Sequence, residues 1–131
     1  MKRAKGFTVI ELLVAITLVI IAGVLFFVEK DQIQQTQRDT QRKVAINALY
    51  FAIEEVYYPQ NKAYPKSIDS KVLRSVDPDL FVDPYGSKIG EEGAEYHYDP
   101  TGCDNDGKCT GYTLRTSLER EGDFVKNNRN K

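Results

Sequence analysis

The chain opens with a long apolar run, which gives way first to a polar stretch and then to an amphipathic pattern. The apolar run covers residues 7–28, and its one charged residue is Glu11. At ~1.5 Å per residue, a helix of this length extends about 33 Å, which is enough to cross a bilayer. The pattern therefore predicts a membrane-spanning helix over residues 7–28.

The same helix is expected to continue beyond the apolar run. Residues 29–43 are polar and contain no Gly or Pro, so nothing in this stretch interrupts a helix. After it, apolar residues recur with helical spacing, which predicts a face packed on a core. Pro59 is expected to end the helix, so residues 29–58 form its outer half. The apolar residues of that face are Val44, Ala45, Ala48, Leu49, Ala52, Ile53 and Val56.

Turn-forming residues follow the long helix. Within them Ser67 is a candidate N-cap for a short helix that runs to about Ser75. In that helix Ile68, Val72 and Val76 would face the core.

Two later segments alternate between apolar and polar residues, as strands do. Residues 94–99 place Tyr96 and Tyr98 on one face, and residues 112–118 alternate in the same way. We predict an antiparallel pair packed on the long helix. The fold class is therefore α+β, with one long N-terminal helix on a small antiparallel sheet in a head of residues 59–125. The apolar face of the second segment comprises Tyr112, Leu114, Thr116 and Leu118.

Charge at the start of the chain gives the predicted span an orientation. Lys2, Arg3 and Lys5 precede the apolar run, and basic residues beside a span stay on the cytoplasmic side. The head should then face outward. The run is longer than the apolar core of a secretory signal and lacks an A-x-A cleavage site, so a conventional cleaved signal is the weaker interpretation.

The charge balance argues against a general nucleic-acid-binding surface. The chain has 18 Lys and Arg against 19 Asp and Glu, and loss of residues 1–6 would change the net charge from −1 to −4. Such a surface needs clustered positive charge. Only residues 126–131 are locally basic, and we expect them to form a solvated, disordered tail.

Residues typical of catalysis are sparse. His97 is the one histidine, no serine or cysteine near it completes a triad, and no Gly-rich phosphate loop or CxxC zinc pattern is present. We therefore expect a protein that is not an enzyme and has no cofactor. The cysteines Cys103 and Cys109 would form a disulfide in an exported head and remain thiols in the cytosol; we favour the disulfide.

Calcium is the one ion that the sequence suggests. Asp99, Asp104 and Asp106 lie close together, and Gly107 allows a sharp turn. The spacing is not that of an EF-hand, because the first and last ligand positions would fall on Gly102 and Thr113. The alternative, a turn at Asp106 and Gly107 that joins two strands, is the stronger interpretation.

Glu11 is the strongest chemical clue. A charge at the centre of a bilayer costs about 2.5–3.5 kcal/mol on insertion scales. One interpretation places Glu11 near the interface, ~6 Å deeper than Phe7, where its carboxylate can snorkel. The other gives it a positive partner: if the chain were cut before Phe7, the new α-amine of a neighbouring copy could pair with this carboxylate.

The segment "KGFTVIELLVAI", residues 5–16, resembles the class III signal of type IV pilins and pseudopilins. The resemblance implies that a prepilin peptidase cuts after Gly6 and methylates Phe7, and that Glu11 aids docking of subunits. It also implies copies of the chain, an assembly platform protein and an ATPase as partners. The chain would span the cytoplasmic membrane once before assembly and then enter an extracellular filament.

The resemblance extends to the head and leaves several roles open. The turn and strand pattern is similar to that of small pilins and major pseudopilins, and the cysteine pair resembles their disulfide-bounded region. Many pilins bend the span at a proline that is absent here, so we expect any loosening on assembly near Gly23. Adhesion, twitching and DNA uptake are not distinguished. The alternatives are a pseudopilin of a type II secretion system and a signal-anchored extracytoplasmic binding module.

Overall fold

The computed structural model describes residues 6–130, so Lys2, Arg3 and Lys5 of the predicted leader lie outside the described residues. The long helix α1 spans Val9–Phe51, continues as a π-helix over Ala52–Tyr57, and ends with α2, Tyr58–Asn61. A short 3-10 helix follows at Pro78–Phe81. The strands are β1 (Tyr64–Pro65), β2 (Tyr96–Cys103), β3 (Lys108–Thr116) and β4 (Phe124–Asn127). The predicted α+β architecture, one long helix and a small antiparallel sheet, is confirmed.

The chain divides into two compact units, residues 1–35 and 36–131. In the first unit, every large apolar side chain from Phe7 to Val28 is exposed. One helix among the described residues is long and apolar enough to cross a membrane, by its length and composition. The helix runs through Gly23 without a break. Loosening at Gly23 concerns an assembled filament and stays a prediction.

In the second unit the buried face of the helix differs from the predicted one. Ala45, Leu49, Ala52 and Ile53 are buried as expected, whereas Val44 is 54% exposed. Ile46, absent from the prediction, is fully buried, while Ala48 is only half-buried and Val56 is exposed. The prediction followed apolar residues alone. The buried face also includes the charged residues Asp39 and Arg42, which rotate it away from Val44.

Pro59 does not end the helix, which continues to Asn61. The π-helix allows the helical backbone to continue past this proline. In it, the N–H of Tyr58 donates to the carbonyl of Ile53, five residues earlier. Pro59 then lies in the first turn of α2, where a missing N–H breaks no helical hydrogen bond. The helix ends at Lys62, whose φ of 52° is left-handed.

The sheet is antiparallel, and β3 is its central strand. β2 pairs with β3 along one side, with Tyr98 opposite Leu114, while β1 and β4 both pair with β3 as well. The predicted strands are confirmed, although both are longer than expected and Leu118 lies outside β3. Two short strands, β1 and β4, were not predicted. Because β4 includes residues 126 and 127, the expectation of a disordered basic tail is wrong.

The short helix predicted over residues 67–75 is absent, and turns take its place. The side chain of Asp69 accepts hydrogen bonds from the N–H groups of Lys71, at 2.7 Å, and Val72, at 2.8 Å. Such a side-chain bond offers the backbone an alternative to a helix. Ile68 and Val76 are buried as expected, but Leu73 rather than Val72 is the third core residue.

The core lies between the outer part of the helix and the inner face of the sheet. Three buried tyrosines dominate it, with the ring of Tyr64 at 4.9 Å from that of Tyr112 and Tyr96 near the opposite end of β3. A disulfide joins Cys103 to Cys109, which are directly opposed residues of β2 and β3. The expected disulfide is thus present.

Alanine substitutions on the helix should show which of its faces, the observed or the predicted one, packs in the core. Leu49 has no exposed surface, so Leu49→Ala should lower the free energy of unfolding by about 2–5 kcal/mol. Val44→Ala, on the same helix, should change it by less than about 1 kcal/mol. Thermal unfolding of the detergent-solubilised chain measures both. Equal losses would contradict the observed burial.

Candidate functional site

The predicted cleavage position precedes the first helical turn. Gly6, Phe7 and Thr8 are not helical, and α1 begins at Val9. The side chain of Phe7 is 80% exposed. The bond between Gly6 and Phe7 therefore lies outside the helix.

Thr8 and Glu11 form a reciprocal cap at the helix start. The N–H of Glu11 donates to the Thr8 hydroxyl at 3.3 Å, and the N–H of Thr8 donates to Oε2 of Glu11 at 3.4 Å. The Thr8 hydroxyl also lies 3.4 Å from the same carboxylate oxygen. This is the capping box, in which an N-cap Thr and a Glu three residues later satisfy backbone donors that the helix leaves open.

The cap gives Glu11 a role inside a single chain. Its carboxylate lies in the first helical turn, where the helix dipole also favours negative charge. We did not predict this role, although the T-x-x-E spacing before an apolar run is a readable signal for it. Glu11 is thus held beside the backbone that would carry a new N-terminus after Gly6.

A second polar cluster lies in the second compact unit, where the outer part of α1 meets the loop after β3. Arg42 is 1% exposed, and its Nη1 donates to Asp39 and to Glu119, both at 2.9 Å. Arg38 binds Glu119 with two hydrogen bonds of 2.6 Å, and the Tyr85 hydroxyl donates to it at 3.0 Å. These contacts tie the loop after β3 to the helix.

Backbone donors stabilise the buried carboxylate of this cluster. Asp39 accepts hydrogen bonds from the N–H groups of Glu119, at 2.8 Å, and Arg120, at 3.0 Å. Burial opposes its ionisation, but these bonds and Arg42 outweigh burial and lower the pKa of Asp39. Hydrogen bonds from Arg38, and then from Tyr85 and Arg42, lower the pKa of Glu119 to about 2 despite its desolvation.

A third cluster surrounds the buried Glu54, which lies in the π-helix. The Tyr112 hydroxyl donates to it at 3.0 Å, and the Tyr64 hydroxyl lies 3.2 Å from each of its oxygens. Burial, together with the adjacent negative charge of Glu54, raises the pKa of Tyr112. The apolar pattern did not predict that Glu54 would be buried.

The calcium candidates are not brought together. Asp99 pairs with Arg115 at 3.2 Å, and Asp104 accepts hydrogen bonds from the N–H groups of Asp106 and Lys108. Over residues 6–130, no group of three His, Cys, Asp or Glu side chains could hold a metal ion. The loop is a turn between β2 and β3, as the alternative interpretation expected.

His97 lies in a paired strand of the sheet. It lies in β2 opposite Arg115 of β3 and is half-buried. The cysteines are joined to each other, so no free thiol is present among the described residues.

Comparison with known proteins places the N-terminal segment. The fold is a pilin-like α+β architecture, in which one long helix packs on a small antiparallel sheet. Residues 1–27 match the family model of the prokaryotic N-terminal methylation motif, the class III signal of type IV pilins and pseudopilins. Neither the curated proteins nor the solved structures compared with the chain gave a match. The matched motif marks structural pilin-like proteins rather than an enzyme family.

The capping box can be tested by removing its hydroxyl. Thr8→Ala should weaken the first turn by about 1 kcal/mol, which raises amide exchange near residues 9–12 roughly fivefold. Hydrogen–deuterium exchange on the detergent-solubilised chain measures this. Thr17→Ala is the matched control, because the Thr17 hydroxyl bonds to the Leu13 carbonyl in mid-helix. Unchanged exchange at the helix start in Thr8→Ala would show that the cap does not stabilise it.

The depressed pKa of Glu119 predicts an acid-sensitive contribution to stability. Its folded pKa of about 2 lies below the unfolded value of about 4.3, so the stabilisation is complete above pH 4.3 and disappears as the pH falls to 2. Glu119→Gln should therefore lower the melting temperature most at pH 6–7, and the difference from wild type should shrink towards pH 2. Thermal unfolding at several pH values measures it.

Glu121→Gln is the control for that series. Glu121 forms an exposed pair with Lys43, which contributes little at any pH. A Glu119→Gln difference that stays constant from pH 7 to pH 2 would contradict the predicted linkage.

Proposed function

We propose that the chain is a structural subunit of a type IV pilus-like filament, trimmed after Gly6 and methylated at Phe7. The observation that carries the proposal is the match of residues 1–27 to the methylation motif. In support, the scissile bond is outside the helix and the apolar side chains that follow are exposed.

Assembly would give those apolar side chains a new environment. Before assembly, residues 7–28 lie in the cytoplasmic membrane; afterwards they pack against the same segment of neighbouring copies. One interface repeated by rotation and rise gives an open-ended fibre. The prepilin peptidase, platform protein and ATPase act as partners, since the chain itself has no motor.

Glu11 is proposed to select the register between subunits. Its carboxylate would pair with the α-amine that cleavage creates at Phe7 of a neighbouring copy. In an apolar surrounding a charge without a partner is costly, so correctly paired registers are favoured over others. The capping box supports this role because it holds the carboxylate at the same end of the helix as the cleavage position.

Pseudopilins of type II secretion systems share the motif, so they remain within this proposal. Isolated filaments composed mainly of this chain would identify a major pilin. A trace amount would identify a minor pilin or a pseudopilin.

The mature N-terminus gives the decisive measurement. Mass spectrometry of the chain from cells with an active prepilin peptidase should find a methylated Phe7 as the first residue. A Gly6→Val variant should keep residues 1–6. Retained residues 1–6 in the unaltered chain would reject the filament proposal and favour a signal-anchored extracytoplasmic binding module.

Assembly variants separate the charge of Glu11 from its capping role. Glu11→Ala should insert into the membrane normally and reduce filament yield at least tenfold, as judged by sheared-filament preparations. Thr8→Ala removes the capping hydroxyl but keeps the carboxylate, so its yield should lie nearer that of wild type. Normal assembly of Glu11→Ala would reject the docking role, and equal defects in both variants would assign the defect to the cap.

A further inference from the structure

The last described residues of the chain lie against the buried carboxylate of Glu54. We call residues 128–130 the C-terminal strap. The N–H of Arg129 donates to Oε1 of Glu54 at 3.1 Å, and the side-chain amide of Asn130 donates to Oε2 at 3.3 Å. Glu54 is 5% exposed, so these donors reach a carboxylate that has little contact with water.

The Glu54 carboxylate accepts hydrogen bonds both from the core and from the strap. The donors from the core are the hydroxyls of Tyr64 and Tyr112. A buried carboxylate is costly unless its oxygens accept enough hydrogen bonds to replace water. The strap also reaches one of those hydroxyls, because the Asn130 amide lies 3.3 Å from the Tyr64 oxygen.

The fold provides a fitted place for the strap. The N–H of Asn128 donates to the carbonyl of Tyr112, and the Asn128 side chain accepts from the N–H of Tyr112, both at 3.2 Å. Gly111 of β3 leaves room for this contact, because a Cβ there would lie 2.9 Å from the Asn128 side-chain oxygen and 2.9 Å from the Thr101 hydroxyl. The strap is therefore joined to β3 through Asn128 as well as to Glu54.

Aromatic and charged side chains flank the strap on its exposed side. The guanidinium of Arg129 lies 5.4 Å from the centre of the Tyr50 ring, and its Nε donates to the Tyr50 hydroxyl at 3.2 Å. Arg129 also pairs with Glu55. Tyr50, Glu54 and Glu55 all come from one stretch of the helix, so the strap covers that stretch.

We propose that Glu54, Tyr64 and Tyr112 form a binding site for the C-terminal strap, and that strap docking closes the head. This order rests on the proposed function: with the N-terminus inside, the helix and strands that receive the strap are exported before it. Among the residues that the structure describes, the hydroxyls of Tyr64 and Tyr112 are the donors to the Glu54 carboxylate from outside the strap.

A double-mutant cycle tests the binding site. One variant ends the chain at Asn127, a second carries Glu54→Gln, and a third carries both changes. All three keep the N-terminal apolar helix and are studied in detergent. Truncation should lower the melting temperature by about 5–10 °C. In the Glu54→Gln background the loss should be less than half as large, since a neutral amide needs fewer donors. Equal losses in both backgrounds, or no loss on truncation, would overturn the proposal.

If Glu54→Gln fails to fold, two asparagine variants test whether the strap binds Glu54. Asn130→Ala removes the amide that reaches Glu54 and should lower the melting temperature. The matched control Asn127→Ala removes only an exposed contact with the Thr113 hydroxyl and should lower it less. A control effect as large as that of Asn130→Ala would overturn the assignment.

A cell experiment tests the order of events and separates it from the proposed function. The chain that ends at Asn127 should still be trimmed to Phe7, but protease added outside the membrane should digest its head several times faster than the full-length head. A trimmed head that resists protease like the full-length one would overturn strap docking as the closing step. If neither chain is trimmed, the filament proposal fails, while the result of the double-mutant cycle stands.

Discussion

Buried charge on the helix is the constraint on which the head depends. Asp39, Arg42 and Glu54 lie on the face that packs in the core, and each has less than a tenth of its surface exposed. Asp39 and Arg42 pair with each other, and Glu54 bonds to Tyr64, but further partners come from much later in the chain: Glu119 and Arg120 near the first two, and the strap near Glu54. Because an uncompensated buried charge is costly, these late segments contribute to the stability of the helix face.

This arrangement explains why the head closes with irregular segments rather than with longer strands. The loop at residues 117–122 brings two backbone N–H groups to Asp39, which a strand paired on both sides could not supply. β4 is only four residues long and leads directly into the strap, which bonds to Glu54. The helix also changes to a π-helix at Glu54, which places Ala52, Ile53 and Glu54 in the core together. Wide turns of this kind are frequent at sites with a special role.

The sequence predicts the parts of the structure in which apolar pattern alone decides. The long apolar helix at the start of the chain, the alternation in β2 and β3, and the disulfide follow from local composition and spacing. The prediction that Val44 lies on the buried helix face was wrong, because the apolar pattern contains no information about buried charge. In the π-helix before Pro59, a bond between residues five apart replaces the ordinary helical hydrogen bond. At Asp69, side-chain hydrogen bonds to the backbone replace it. Residue propensities reveal neither replacement. Among the site residues, cleavage after Gly6, methylation of Phe7 and docking through Glu11 stay predictions, whereas the cap formed by Thr8 was missed.

Thr8 changes the energetic argument for Glu11. In a single chain the carboxylate is already hydrogen-bonded at its own helix start, so a neighbour's amine would gain only the difference between an ion pair and the cap. The cap distances of 3.3–3.4 Å are long for hydrogen bonds, so little is lost when the carboxylate turns to a stronger donor. If the proposed filament forms, the cap would make the carboxylate tolerable before assembly, and the same weakness would leave it available for the proposed docking. A tighter cap would stabilise the single chain at the expense of that docking.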